Sequence, residues 1–185
     1  MKNLIIIPSR LESSRLPNKP LADINGEPMI VHVFNRAREA NIANVIVAAG
    51  NIEIKDVIEN VGGEAILTKS DHASGSDRIY EALNLYDKDS SYDNVINLQG
   101  DLPNIKKDAL TKIVSLLDSS NSDISTLGVK ISSDQEILNP NIVKAYIKNL
   151  SENNIVDDFD RSFDLSKKDF LYHHIGIYGY KRNAL

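Results

Sequence analysis

The chain lacks cysteine and tryptophan altogether. Disulfide staples and thiolate-based zinc sites are therefore excluded, and the redox compartment is left open. It also lacks any long hydrophobic run. The apolar start Leu4–Ile7 is ended by Pro8, too short for the apolar region of a signal peptide or for a membrane span, so a soluble, cytoplasmic protein is expected. A basic excess is missing too: 21 Lys and Arg face 26 Asp and Glu, a formal net charge of -5. That balance argues against a nucleic-acid binder that relies on a basic surface. A substrate with several negative charges would need a local cluster of cations. With only nine glycines and six prolines, no Gly/Ser/Pro-rich linker, repeat or low-complexity tract is visible. One domain spanning 1–185 is expected, and 42% hydrophobic residues are enough for a core.

What is present alternates between two kinds of segment. Leu4–Ile7, Val45–Ala49, Ala65–Thr68 and Val95–Leu98 are short apolar runs rich in β-branched residues, as strands buried on both faces require. Between them lie helical stripes. Met29, Ile30, Val33, Ala37 and Ala40 follow Pro28 at a first helical position. Ile54, Val57, Ile58 and Val61 are closed by Gly62-Gly63. Ile79, Ala82, Leu83 and Tyr86 make a third stripe, and Leu110, Ile113, Val114 and Leu117 a fourth. The pattern predicts an α/β, doubly wound, mostly parallel sheet. Beyond residue 122 it changes: Ile124–Ile131, Ile142–Ile147 and Tyr172–Tyr180 read as strands, with a long polar excursion over Ser151–Lys168.

Ligands of an open parallel sheet bind outside the carboxyl ends of its strands. Three polar segments follow predicted strands there. The first, Pro8–Leu21, holds Arg10, Arg15, Lys19 and the hydroxyls of Ser9, Ser13 and Ser14, the donors a triphosphate needs. It is neither a GxGxxG fingerprint nor a P-loop. The second, Thr68–Arg78, offers Ser74 or Ser76 as a helix cap with Asp77 in the first turn. Arg78 opposes the helix dipole, which a nearby anion would compensate, and His72 reads as a hydrogen-bonded structural histidine. The third, Leu98-Gln99-Gly100-Asp101, puts a carboxylate on a strand tip. Asp101 is either a turn-stabilising residue or, beside a phosphate loop, a magnesium ligand.

These residues carry a resemblance. IIIPSRLESSRLPNKPLADINGEPMIVHV, GGEAILTKSDHASGSDRI with its HxSGxDR motif, NLQGD, LNPNIVKAYI and HIGIYGY together resemble the 3-deoxy-manno-octulosonate (KDO) cytidylyltransferases, also called CMP-KDO synthetases. The resemblance implies a Rossmann-like sheet of the nucleotide-diphospho-sugar transferase type. It also implies an activity for lipopolysaccharide biosynthesis, in which CTP and the eight-carbon sugar acid give CMP-KDO and pyrophosphate with Mg²⁺ as cofactor. By motif position, Arg10, Lys19 and Asp101 would be catalytic. Arg10, Ser13, Arg15, Lys19 and Ser74 would bind nucleotide, Asp101 would bind the metal, and Arg78, Gln99, His174 and Tyr178 would face the sugar acid. Tyr180 reads as an ordinary strand aromatic. The expected partners are CTP and the sugar acid, without nucleic acid or membrane, and the family implies a homodimer.

Three departures from the family pattern stand out. Leu102 replaces an acidic residue after QGD, and His173 replaces an Arg before the HIGIYGY motif. The chain also ends at Leu185, before the family's C-terminal helices, last strand and second magnesium-binding aspartate. The alternatives are the same chemistry on 8-amino-KDO or a sialic acid, or a truncated, inactive CTP-binding fragment.

Overall fold

A computed structural model describes residues 1–12, 16–119, 121–148 and 154–185. They form two compact units, Met1–Ser125 with Ile177–Leu185, and Thr126–Gly176. Both divisions fall inside strands and not at a linker, so composition carries no mark of them.

In the first unit, β1 (Asn3–Ser9) lies between two parallel neighbours, β4 (Asn44–Ala49) and β6 (Asn94–Asn97), and β4 pairs in parallel with β5 (Glu64–Leu67). The C-terminal part of β10 (Leu171–Lys181) closes the far side by pairing antiparallel with β6, Tyr178 opposite Asn97 and Lys181 opposite Asn94. A hairpin of β2 (Asp23–Ile24) and β3 (Glu27–Pro28) leads into α1 (Met29–Ala40). Helices α2 (Ile52–Asn60), α3 (Gly75–Tyr86) and α4 (Lys107–Ser119) follow β4, β5 and β6.

The reason for this arrangement is legible in β1. Successive side chains of a strand point to opposite faces, yet Leu4, Ile5, Ile6 and Ile7 are all fully buried. Both faces of the sheet must therefore be covered. Leu4 and Ile6 share a core with Ile46 and Ala48 of β4 and with Ile79, Ala82 and Leu83 of α3. Each Leu and Ile among them contributes about 1.5–3 kcal/mol by leaving water. Pro28, expected at the first helical position, stands at the N-cap of α1, one residue before the helix begins at Met29. Its ring fixes φ and it has no N–H to leave unpaired, which suits either place. No helix of the described residues is long and apolar enough to cross a membrane.

The second unit contains most of β7 (Ile124–Lys130), the short helix α5 (Asp134–Leu138), β8 (Lys144–Tyr146), β9 (Asp158–Asp160) and the N-terminal part of β10. β8 pairs antiparallel with β9 on one side and with Leu171–His173 on the other. Its core is small: Ile131, Ile137 and Leu171, with Tyr146 and Phe163 against them. Lys144 is fully buried, and its ammonium donates to the carbonyls of Asn139 (2.7 Å) and Arg161 (2.5 Å). Burial holds its pKa below the usual lysine range. β9 lies within the stretch that the sequence marks only as a polar excursion, because its residues are exposed and acidic.

Candidate active site

Strand register brings four loops together at the carboxyl end of the first unit's sheet. Ser9 of β1 is level with Ala49 of β4, and Gly50 N–H donates to the Ser9 carbonyl at 2.8 Å. Thr68 N–H donates to Ala49 O (2.8 Å) and Leu98 N–H to Ile6 O (3.1 Å). Gly100 lets the β6 loop close in further, since a Cβ there would stand 2.9 Å from the Pro8 carbonyl oxygen. The loops enclose a cavity of about 590 Å³.

Arg10, Lys19, Ser74, Arg78, Gln99 and Asp101 all line that cavity. Lys19 Nζ lies 2.8 Å from Asp101 Oδ2, and both side chains stay substantially exposed, 38% and 52%. Such a pair is held loosely, because water screens it. Arg10 donates to the His72 carbonyl at 3.4 Å, linking the first loop to the second. Ser74 caps α3. Its hydroxyl accepts from Asp77 N–H at 3.1 Å while Asp77 Oδ2 accepts from Ser74 N–H, a complete capping box. Gln99 is anchored by donating its amide to Asn97 Oδ1 at 3.1 Å.

Arg78 takes a place that composition could not reveal. The residue is buried, and its guanidinium donates to Thr68 Oγ1 (2.7 Å), Lys69 O (2.8 Å) and Ser70 O (3.2 Å). It therefore pins the loop from inside. Gly50 makes room for it, because a Cβ at that position would meet the guanidinium at 2.6 Å. Burial, and next the neighbouring Arg10, lower the Arg78 pKa. Two cations thus press on one another in the cavity lining, and an anion bound beside them would relieve both.

The remaining expectations fall elsewhere. Ser13 and Arg15 lie outside the described residues. Tyr178 is not on the cavity wall. The alternation of β10 sets it on the same face as Tyr180, with ring centroids 6.0 Å apart, against the core cluster of the first unit. Burial, and secondly Tyr180, raise its pKa. His174 belongs to the second unit, where its Nε2 meets Thr126 Oγ1 at 2.9 Å and the Phe159 ring packs edge-on at 4.9 Å. Burial and then His173 lower its pKa. His173 hydrogen-bonds Glu136 at 2.6 Å.

A family model described as cytidylyltransferase matches residues 4–185. The chain belongs to the cytidylyltransferase family. It is 48% identical to the 3-deoxy-manno-octulosonate cytidylyltransferase of Brucella ovis, over the whole of this chain and 74% of that protein. A solved structure of CMP:2-keto-3-deoxy-manno-octonic acid synthetase complexed with CTP superimposes with a TM-score of 0.86 at 36% identity, covering all of this chain and 76% of the other. The 4-diphosphocytidyl-2C-methyl-D-erythritol synthase of Anaerococcus prevotii, at 13% identity and a TM-score of 0.63 over 98% of this chain and 72% of that one, shares the fold alone. This cytidylyltransferase is accordingly a nucleotidyltransferase with a mostly parallel sheet flanked by helices.

Four further residues shape the site of this cytidylyltransferase: Ser9, which the sequence offered only as one hydroxyl of the first loop, and Glu81, Asn51 and Glu12, which it did not single out. The Ser9 hydroxyl is buried in the cavity wall and has no hydrogen-bond partner among the described residues. Glu81, one turn beyond Arg78 on α3, accepts from His72 and from Lys69 N–H (3.0 Å), and the His72 contact above all lowers its pKa. His72 is thus the hydrogen-bonded histidine its position suggested. Asn51 and Glu12 form the third contact, a side-chain pair 39 residues apart. Ser9 and Glu12 lie in the first resembling stretch and Asn51 and Glu81 in none, and only the folded loops bring them into reach.

Among the described residues, no three His, Cys, Asp or Glu side chains converge as a metal cluster. Asp101 is a single exposed carboxylate beside cations. That set fits a hard cation that takes one protein oxygen and draws its other ligands from phosphates, as Mg²⁺ commonly does.

Proposed function

We propose that the chain transfers the cytidylyl group of CTP to 3-deoxy-manno-octulosonate, releasing pyrophosphate. The observation that carries this reading is the meeting of Arg10, Lys19, Arg78 and Asp101 in one cavity at the strand ends, in a chain nearly half identical to relatives that bear that activity's name.

The anomeric hydroxyl of the sugar attacks the α-phosphorus of CTP in line, forming the new P–O bond as the bond to pyrophosphate breaks. Arg10 and Lys19 lie against the β- and γ-phosphates and take up the charge that accumulates on the leaving pyrophosphate. Transfers of this kind depend mainly on positioning and charge neutralisation, which fixed cations supply. Asp101 would hold magnesium, which would supply neutralisation of phosphate charge. Entry of the triphosphate draws Lys19 away from Asp101, exchanging a screened surface pair for contacts on the ligand. Ser74 and Gln99 line the nucleotide and sugar sides, and Arg78 fixes the loop between them.

Pyrophosphate release from CTP tests the proposal. The expected result is release that requires both KDO and magnesium. Release that ignores the sugar acid, or that proceeds equally with ATP, would overturn it.

A further inference from the structure

Asn51 sits at the N-cap of α2, the position where Asn ordinarily accepts a hydrogen bond from the first turn of its own helix. It makes no such bond. Its side chain turns to the phosphate loop instead: Oδ1 accepts from Leu11 N–H at 2.9 Å, and Nδ2 donates to Glu12 Oε1 at 3.0 Å. The amide orientation is fixed by its partners, because only a carbonyl oxygen can face an N–H and only an amide nitrogen can face a carboxylate. The Asn51 contact is also the chief reason the Glu12 pKa is lowered. Leu11 directly follows Arg10, and the same loop is braced at its far side by Asn18 N–H donating to Leu11 O at 3.1 Å.

We infer that Asn51 is a positioning residue for nucleotide binding: its amide holds the Leu11–Glu12 backbone so that Arg10 faces the cavity. Glu12 lines the cavity and Asn51 does not, so Asn51 acts on the site only through the loop that it holds. The effect on CTP runs through Arg10, whose backbone is joined to the Leu11 amide that Asn51 fixes. A helix deprived of its cap, in exchange for a bond across 40 residues, places the benefit in the loop and not in α2.

The inference rests on the reading of the cavity as a CTP site, and the test separates the two. CTP affinity is measured by titration calorimetry on the unaltered chain, Asn51→Ala, Asn51→Asp and the pair Asn51→Asp/Glu12→Gln, with melting temperatures alongside. Asn51→Ala should weaken CTP binding about tenfold, the size expected for losing hydrogen bonds of which one is to a charged group. Its melting temperature should fall by only about 2–4 °C, the shift that losing about 1 kcal/mol of loop hydrogen bonding gives a chain of this size, since no cap bond is lost. Asn51→Asp sets two carboxylates together and should weaken binding at least as much. Adding Glu12→Gln restores a matched pair, acceptor at 51 and donor at 12, and should recover most of the affinity. CTP binding by the unaltered chain with equal affinity in Asn51→Ala would overturn the inference alone. So would a double variant no better than Asn51→Asp. No CTP binding by the unaltered chain would overturn the functional reading, and this inference with it.

Discussion

The two ends of the first unit's sheet treat charge in opposite ways. At the carboxyl end, Lys19 and Asp101 meet in a single exposed contact, 38% and 52% accessible. At the amino end, the Asp87 side chain is only 3% accessible and every direction around it is occupied. Ser91 donates from its backbone (2.9 Å) and hydroxyl (2.8 Å), Tyr92 N–H donates at 3.1 Å, and the Arg182 guanidinium completes the set. Burial alone would raise the Asp87 pKa, but these donors override it and bring it to about 2. A charge that is saturated serves the fold. One that is left with open coordination can serve a ligand, and the difference separates a structural end from a chemical one.

If this contrast is right, substitutions at the two ends should fail in different assays. The largest effect belongs to the carboxyl end. Lys19→Ala should reduce turnover about 10²–10³-fold, the usual cost of removing one preorganised group that stabilises developing charge. Unfolding by denaturant should change by less than about 0.5 kcal/mol, because an exposed pair contributes little to stability. Asp87→Ala should do the reverse, destabilising by about 3 kcal/mol through the stranded Arg182 and the unpaired amides of Ser91 and Tyr92. The CTP affinity of the protein that remains folded should be unchanged.

Acid separates the ends more gently. The folded pKa of Asp87 is depressed, so its contribution is complete above the unfolded value of 3.8 and is lost as pH falls through the folded value of about 2. Stability should therefore drop by about 2 kcal/mol between pH 4 and pH 2 on this group's account. Denaturant midpoints measured across that range would show the slope in the unaltered chain and its loss in Asp87→Asn. The smallest effect is expected at Glu81. Glu81→Gln keeps a hydrogen-bonding group for His72 and Lys69 N–H, and should weaken CTP binding only about threefold. A large loss there would mean that the second loop depends on charge at that position and not on the grip of Arg78.

The same contrast explains what could be read before the fold was known. The strands of the first unit were legible because full burial on two faces leaves unbroken apolar runs such as Leu4–Ile7. Arg10, Gln99 and Asp101 were legible because each stands just after such a run, where a parallel sheet presents its ligand site, and Lys19 because it shares the first of those loops. Arg78 was legible as important but not in its contacts, since nothing in a linear sequence shows a guanidinium turning inward onto Thr68, Lys69 and Ser70 through the space left by Gly50. Tyr178 and Tyr180 share one strand face, so period-2 reasoning could have placed both in the core. Asn51 was not legible, since nothing in a linear sequence shows an amide reaching Leu11 and Glu12 some 40 residues away. β9 was hidden because an exposed acidic edge strand has no hydrophobic alternation to announce it.

Amide chemical shifts recorded during a CTP titration examine the two ends of the sheet at once. Resonances from residues 9–12, 72–75 and 99–101 should move together, while those from residues 87–93 stay still. Shifts centred on residues 87–93, or none around Arg10 and Asp101, would contradict the account.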